Sequence, residues 1–201
     1  MPAEARGGVG FPARRKWIAA GAAVIILLGA AAMLIGRELI TPDAPDPPAR
    51  AADDLEAFAD PEVGISISHP PGWRRVDSAD PAVVLLAEGD GASMLVRMAD
   101  LGVEVRNLDT AKEVSDDLVR AGQPTLLRPP KQVTLGGLPG YLYLYTFPDA
   151  ASGQRGAHAH YFLFRGQTLI TVVFQTVPAQ GFATLAPLFD RIGETLRASP
   201  G

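Results

Sequence analysis

The chain has 201 residues, with 18 Lys and Arg against 22 Asp and Glu, a formal net charge of −4, and no cysteine. The absence of Cys excludes a disulfide framework, a Cys-ligated zinc or iron–sulfur centre, a thiol nucleophile and an acylated N-terminal cysteine. Mild acidity argues against a general nucleic-acid binder, whose usual footprint is a basic face, so nucleic acid is not an expected partner.

Residues 17–36, WIAAGAAVIILLGAAAMLIG, hold no charge. At about 1.5 Å per residue a helix of that length spans roughly 30 Å, the thickness of a bilayer's hydrocarbon core. Residues 1–16 carry Arg6, Arg14, Arg15 and Lys16 against Glu4, net +3. Residues 37–56 carry Arg37 and Arg50 against six acids, net −4. Because Lys and Arg accumulate on the cytoplasmic flank, this asymmetry predicts one transmembrane helix with residues 1–16 as a cytoplasmic tail. The expected location is the cytoplasmic membrane of a bacterium, with the C-terminal bulk extracytoplasmic. A cleaved signal peptide is the alternative, since Ala30-Ala31-Ala32 supplies an A-x-A site. Against it, the apolar run continues through Met33, Leu34 and Ile35.

Residues 37–59 read as a linker. Within it, TPDAPDPPAR (41–50) has four prolines in ten residues, the composition of a semi-rigid extended spacer. A short helix is expected over 51–59, leading into a domain over residues 60–201.

Strands are expected at Gly64–His69, where Ile65 and Ile67 alternate with Ser66 and Ser68, and at Val83–Ala87 and Met94–Met98 around a Glu88–Ser93 turn. Thr110 and Glu113 make a capping-box pattern, Gly122 sits where a C-terminal glycine belongs, and Ala111, Val114, Leu118 and Ala121 recur between them at helical spacing. Four more strands follow at Gln132–Leu135, Tyr141–Phe147, Ala157–Arg165 and Thr168–Thr176, the last two joined through Gly166-Gln167 as a type II′ hairpin. Both faces of these last two strands are apolar, so the sheet should be covered on both sides. Phe182, Leu185, Phe189, Ile192 and Leu196, spaced 3, 4, 3 and 4, form a closing amphipathic helix, with Pro187 marking its regular start or a kink. The class is α+β.

This order resembles the PsbP-like superfamily, which includes the yeast Mog Ran-binding protein and the LpqN-like secreted proteins of bacteria. The resemblance rests on ISISHPPGW (65–73), the hairpin and helix after it, the G-G-x-x-G-Y of 136–141, and two long strands with a terminal helix. It implies an α/β/α sandwich with a mainly antiparallel sheet, here behind a single transmembrane helix. It also implies a non-enzymatic binding or assembly module with a protein partner. The chain departs from the LpqN type in having no lipobox Cys.

Candidate chemistry is sparse. His158 and His160 are two apart on a strand, hence on one face about 7 Å apart, and could hold a metal if a third ligand such as His69 converged. The alternative is a pair of half-exposed sheet residues. No G-x-S-x-G elbow or phosphate-binding loop occurs, and no cofactor is expected. Tyr141, Tyr143, Tyr145 and Phe147 alternate along one strand. If exposed, Tyr141, Tyr143 and Tyr145 form a partner or ligand surface; if covered, they form a core face with hydroxyls at its rim. Two further functions compete with the binding module. One is a lipid or small-molecule carrier with an apolar pocket beside this strand; the other is a metal-dependent enzyme at the histidine pair.

Overall fold

The structure, a computed structural model, describes residues 55–199. The expected tail and transmembrane helix, and the linker as far as residue 54, lie outside the described residues. Eleven strands and two main helices follow in chain order, and every strand pair is antiparallel.

A small sheet comprises β1 (Glu56–Asp60), β2 (Ile65–His69) and β11 (Arg197–Ala198), with β2 central. The helix expected at the end of the linker is therefore replaced over residues 56–59 by strand β1. Phe58 and Ala59 pair with Ile67 and Ser66, and those ladder bonds outweigh a local helical preference.

The large sheet runs β3 (Arg74–Arg75), β4 (Val83–Gly89), β5 (Ala92–Asp100), β10 (Thr168–Thr176), β9 (Arg155–Arg165), β8 (Leu138–Pro148) and β6 (Thr125–Leu126). Strand β7 (Lys131–Leu135) also pairs with β8. The β4–β5 turn is tighter than expected. Only Asp90 and Gly91 lie between the strands, both at positive φ (54° and 71°), which suits an Asp-Gly hairpin turn.

Helix α1 (Leu108–Ala121) starts earlier than the capping-box reading places it. Asn107 is the N-cap, its Oδ1 accepting from the backbone N–H of Thr110 at 2.8 Å. Gly122 ends α1 at φ −85°, and the left-handed residue is Gln123 (φ 49°). Helix α2 (Phe182–Glu194) runs unbroken through Pro187, beginning five residues before it, after a short 3-10 turn at Ala179–Gly181.

The large sheet is covered on both faces, as the two-sided apolar strands predict. On one face lie α2 and the small sheet. Ile65 and Ile67 of β2 and Phe189, Ile192 and Leu196 at the end of the chain pack there on Ala159, Tyr161, Leu163, Ile170, Val172 and Phe174. Phe174 is fully buried, stacked on Phe189 with centroids 5.0 Å apart and edge-on to Tyr161 at 6.2 Å. On the other face lies α1, whose Ala111 and Val119 pack on Tyr143, Tyr145, Phe162, Phe164 and Leu169. Beyond α1 the same face continues as Val173, Leu95 and Leu86 under Val76 and Val83.

Candidate functional site

The register of β8, β9 and β10 brings the polar residues of the α1 face together. Tyr145 lies opposite His158, Tyr143 opposite His160, and Gln175 opposite His158 from the other side. The two histidines share a face, as their spacing predicts, but they are not half-exposed. His158 is 2% and His160 1% exposed. Phe147 lies over the His158 ring at 4.2 Å and Phe162 stacks on His160 at 3.9 Å.

Their hydrogen bonds form one chain whose direction follows from valence. The Tyr145 hydroxyl lies 3.0 Å from His158 Nδ1 and 2.9 Å from His160 Nδ1. A phenol has one proton to donate, so one imidazole must accept from it and the other must donate to it. Gln175 Oε1 is 2.6 Å from His158 Nε2. An amide oxygen only accepts, so His158 carries its proton on Nε2 and accepts from Tyr145 at Nδ1. His160 then donates from Nδ1 to the Tyr145 oxygen, which leaves Nε2 as its lone pair. That atom is buried and has no hydrogen-bond partner among the described residues, and neither has Thr171 Oγ1 on the same face.

Both rings are neutral at pH 7. Burial, partly offset by the Gln175 bond, pulls His158 down to about 4. Burial and the neighbouring His158 hold His160 well below the usual range. Burial likewise raises Tyr145 far above an ordinary phenol. The consequence for pH has a definite sign. An unfolded histidine takes up a proton near 6.5 and the folded one does not, so this contribution is complete above about pH 6.5 and is lost as the pH falls towards 4. His158 alone should remove about 3 kcal/mol across that window, measured as urea-unfolding free energy at a series of pH values. Replacing Tyr145→Phe strands both Nδ1 atoms in the interior. It should cost about 2–4 kcal/mol at pH 7 in the same assay.

At the rim of α1 the pattern is ionic. Tyr143 donates to Asp116 Oδ1 at 2.6 Å, and Lys112 bonds both Asp116 oxygens at 2.7 and 2.6 Å. Lys112 Nζ also sits 5.9 Å from the ring centres of Tyr141 and Tyr143. Burial works to raise Asp116, but the bonds from Lys112 and Tyr143 outweigh it and hold the carboxyl below the usual range.

The tyrosine row is thus divided. Tyr143 and Tyr145 are 1% exposed and belong to the covered face, whereas Tyr141 is half-buried beside Lys112. An exposed docking row of all three is not what the structure contains, because α1 lies across it. His69 is held apart from the other histidines. It shares the inward face of β2 with Ile65 and Ile67, on the opposite side of the large sheet, with Nδ1 3.1 Å from the Pro70 carbonyl. Among the described residues no group of three or more His, Cys, Asp and Glu converges as a metal site. The cleft beside β8, lined by Val105, Asn107, Leu108, Ala111, Pro139 and Phe164, has a volume of about 100 Å³, below the roughly 300–1,000 Å³ of typical ligand pockets. Gln175, Lys112 and Asp116 were not expected at the site. Gln175 carried a signal, being a lone amide in the apolar run TLITVVFQT at the position that shares a face with His158.

An antiparallel sheet enclosed between one helix and a helix-plus-small-sheet layer is a PsbP-like fold. The chain is similar to the cyanobacterial PsbP (CyanoP) of Synechocystis sp. PCC 6803, with a TM-score of 0.53 at 16% identity over 77% of this chain and 98% of that one. It is also similar to LpqN of Mycobacterium tuberculosis, a protein involved in cell envelope biogenesis, with a TM-score of 0.51 at 13% identity over 73% of this chain and 92% of that one. No protein family matches the sequence, and no curated protein is significantly similar to it. The shared property is the fold.

Proposed function

We propose that the protein is a non-enzymatic binding or assembly module, held at the bacterial cytoplasmic membrane by residues 17–36 and presenting its PsbP-like domain on the extracytoplasmic side to a protein partner. The carrying observation is the domain's own interior. Its two most chemistry-capable side chains, His158 and His160, are buried and bonded to Tyr145, out of reach of solvent. A PsbP-like fold, shared with a protein of cell envelope biogenesis, supports a module of this kind. The charge-flanked apolar segment supports the anchor and its orientation. A cleft of about 100 Å³ gives little support to a lipid carrier.

The test is crosslinking in intact cells that express the tagged full-length chain, with residues 1–54 alone as the control. A protein captured repeatedly by the full chain and never by the control is the expected result. Capture by both equally would assign the interaction to the anchor and overturn the module reading.

A further inference from the structure

We propose that α1 is an acid-releasable cover, seated on the sheet while His158 and His160 are both neutral and detaching at mildly acid pH while the α2 layer stays closed. The geometry points to this in three ways. First, in the chain Gln175–His158–Tyr145–His160 the Tyr145 hydroxyl proton and the N–H proton of each imidazole are already committed. A proton added at His158 Nδ1 must break the bond from the Tyr145 hydroxyl, and one added at His160 Nε2 meets no acceptor among the described residues. Either charge is relieved by admitting water, and α1 is the helix packed on Tyr143, Tyr145 and Phe162, the side chains that flank the pair.

Second, the buried side chains of α1 are smaller than those of α2. They are Ala111, Ser115 and Val119, with Val114 and Leu118 partly buried beside them, and Ser115 spends its hydroxyl on the Ala111 carbonyl of its own helix. Helix α2 buries Phe189 and Ile192, and Leu196 just beyond it is buried too. Burial of large side chains is worth more per residue than burial of small ones, so the same electrostatic strain opens α1 first.

Third, no other charged group around the pair takes the same role. From α1, Lys112 and Asp116 are bonded to each other and to Tyr143, and Asp116 stays ionised in mild acid. From β5, Arg97 is paired with Asp80 at 2.9 Å, and from β4, Glu88 is near Arg74 at 3.8 Å. At the β8–β9 turn, Asp149 bonds Ser152 and Arg155 bonds Thr146. From β10 only the neutral Thr171, Val173 and Gln175 face the rings. Among the described residues no carboxylate bonds either imidazole, so nothing there welcomes the added charge. His69 lies on the opposite side of the large sheet, away from α1.

Two histidines that charge only when the cover is open multiply the opening equilibrium by on the order of 200-fold between pH 6.5 and pH 5. The measurement is amide hydrogen exchange on the detergent-solubilised full-length chain at both pH values, corrected for intrinsic rates and read separately over residues 108–121 and 182–194. Protection of α1 should fall by about that factor relative to α2. In His158→Gln or His160→Gln the fall should shrink to the order of 10-fold. In Asp116→Asn the pH dependence should be kept although the helix is weakened throughout. Equal loss in both helices, no loss in α1, or an unchanged pH dependence in both histidine variants would overturn the proposal. The comparison of the two helices in the unmodified chain needs no variant to fold.

Discussion

Gly140→Ala is expected to abolish the native fold or destabilise it by more than about 4 kcal/mol, the range reserved for changes that the backbone cannot absorb. Gly140 lies on β8 directly opposite Leu163 of β9. A Cβ there would stand 1.9 Å from the Phe162 carbonyl oxygen and 2.9 Å from the Leu163 Cα, and both are backbone atoms of a central strand. A flexible side chain could swing aside; a hydrogen-bonded strand cannot move without breaking its ladder with β10. Because the β8–β9 pairing also sets Tyr145 against His158, the same methyl group would misalign the buried polar chain. Thermal unfolding followed by circular dichroism checks this. A variant within a few degrees of the parent would show that β8 and β9 are not as close as described.

Phe174→Ala is expected to cost about 3–5 kcal/mol, the usual range for deleting a fully buried aromatic ring. The ring lies where β10 meets the closing helix. It stacks on Phe189 and meets Tyr161 edge-on, so its removal leaves a cavity bounded by the sheet on one side and α2 on the other. The sheet cannot collapse into that space, and α2 is tied through Ile192 and Leu196 to the same core. Phe174→Leu, which retains much of the volume, should recover more than half of the loss in urea unfolding. Equal losses for Ala and Leu would mean that ring stacking, not volume, holds this layer.

How much of this was legible depended on the length and periodicity of each segment. Strand β10 is legible to the residue and β9 to within two, because long runs with large side chains on both faces leave little choice of period. The small sheet is not legible as a separate layer. Strand β1 exposes most of EAFAD and β11 has two residues, so neither carries a hydrophobic period, and both exist because β2 offers them edges. The start of α1 shifted because Asn107, a good cap in its own right, competes with Thr110. At the site, alternation placed His158 and His160 on one face. Their burial depends on side chains brought in by neighbouring strands, Phe147 and Tyr145 of β8 and Gln175 of β10, which no local pattern encodes. For the same reason the ladder divides, the Tyr143 hydroxyl reaching Asp116 while Tyr145 turns inward to the histidines.

The most direct measurement on the central claim is the topology of the intact protein. A chain carrying a C-terminal tag is expressed, spheroplasts are prepared, and protease is added outside. With residues 17–36 as an N-in anchor and the PsbP-like domain outside, the tag should be destroyed while a cytoplasmic marker survives, and the protein should stay with the membrane fraction after a high-salt wash. A tag that stays protected until the spheroplasts are lysed would place the domain in the cytoplasm and contradict the account.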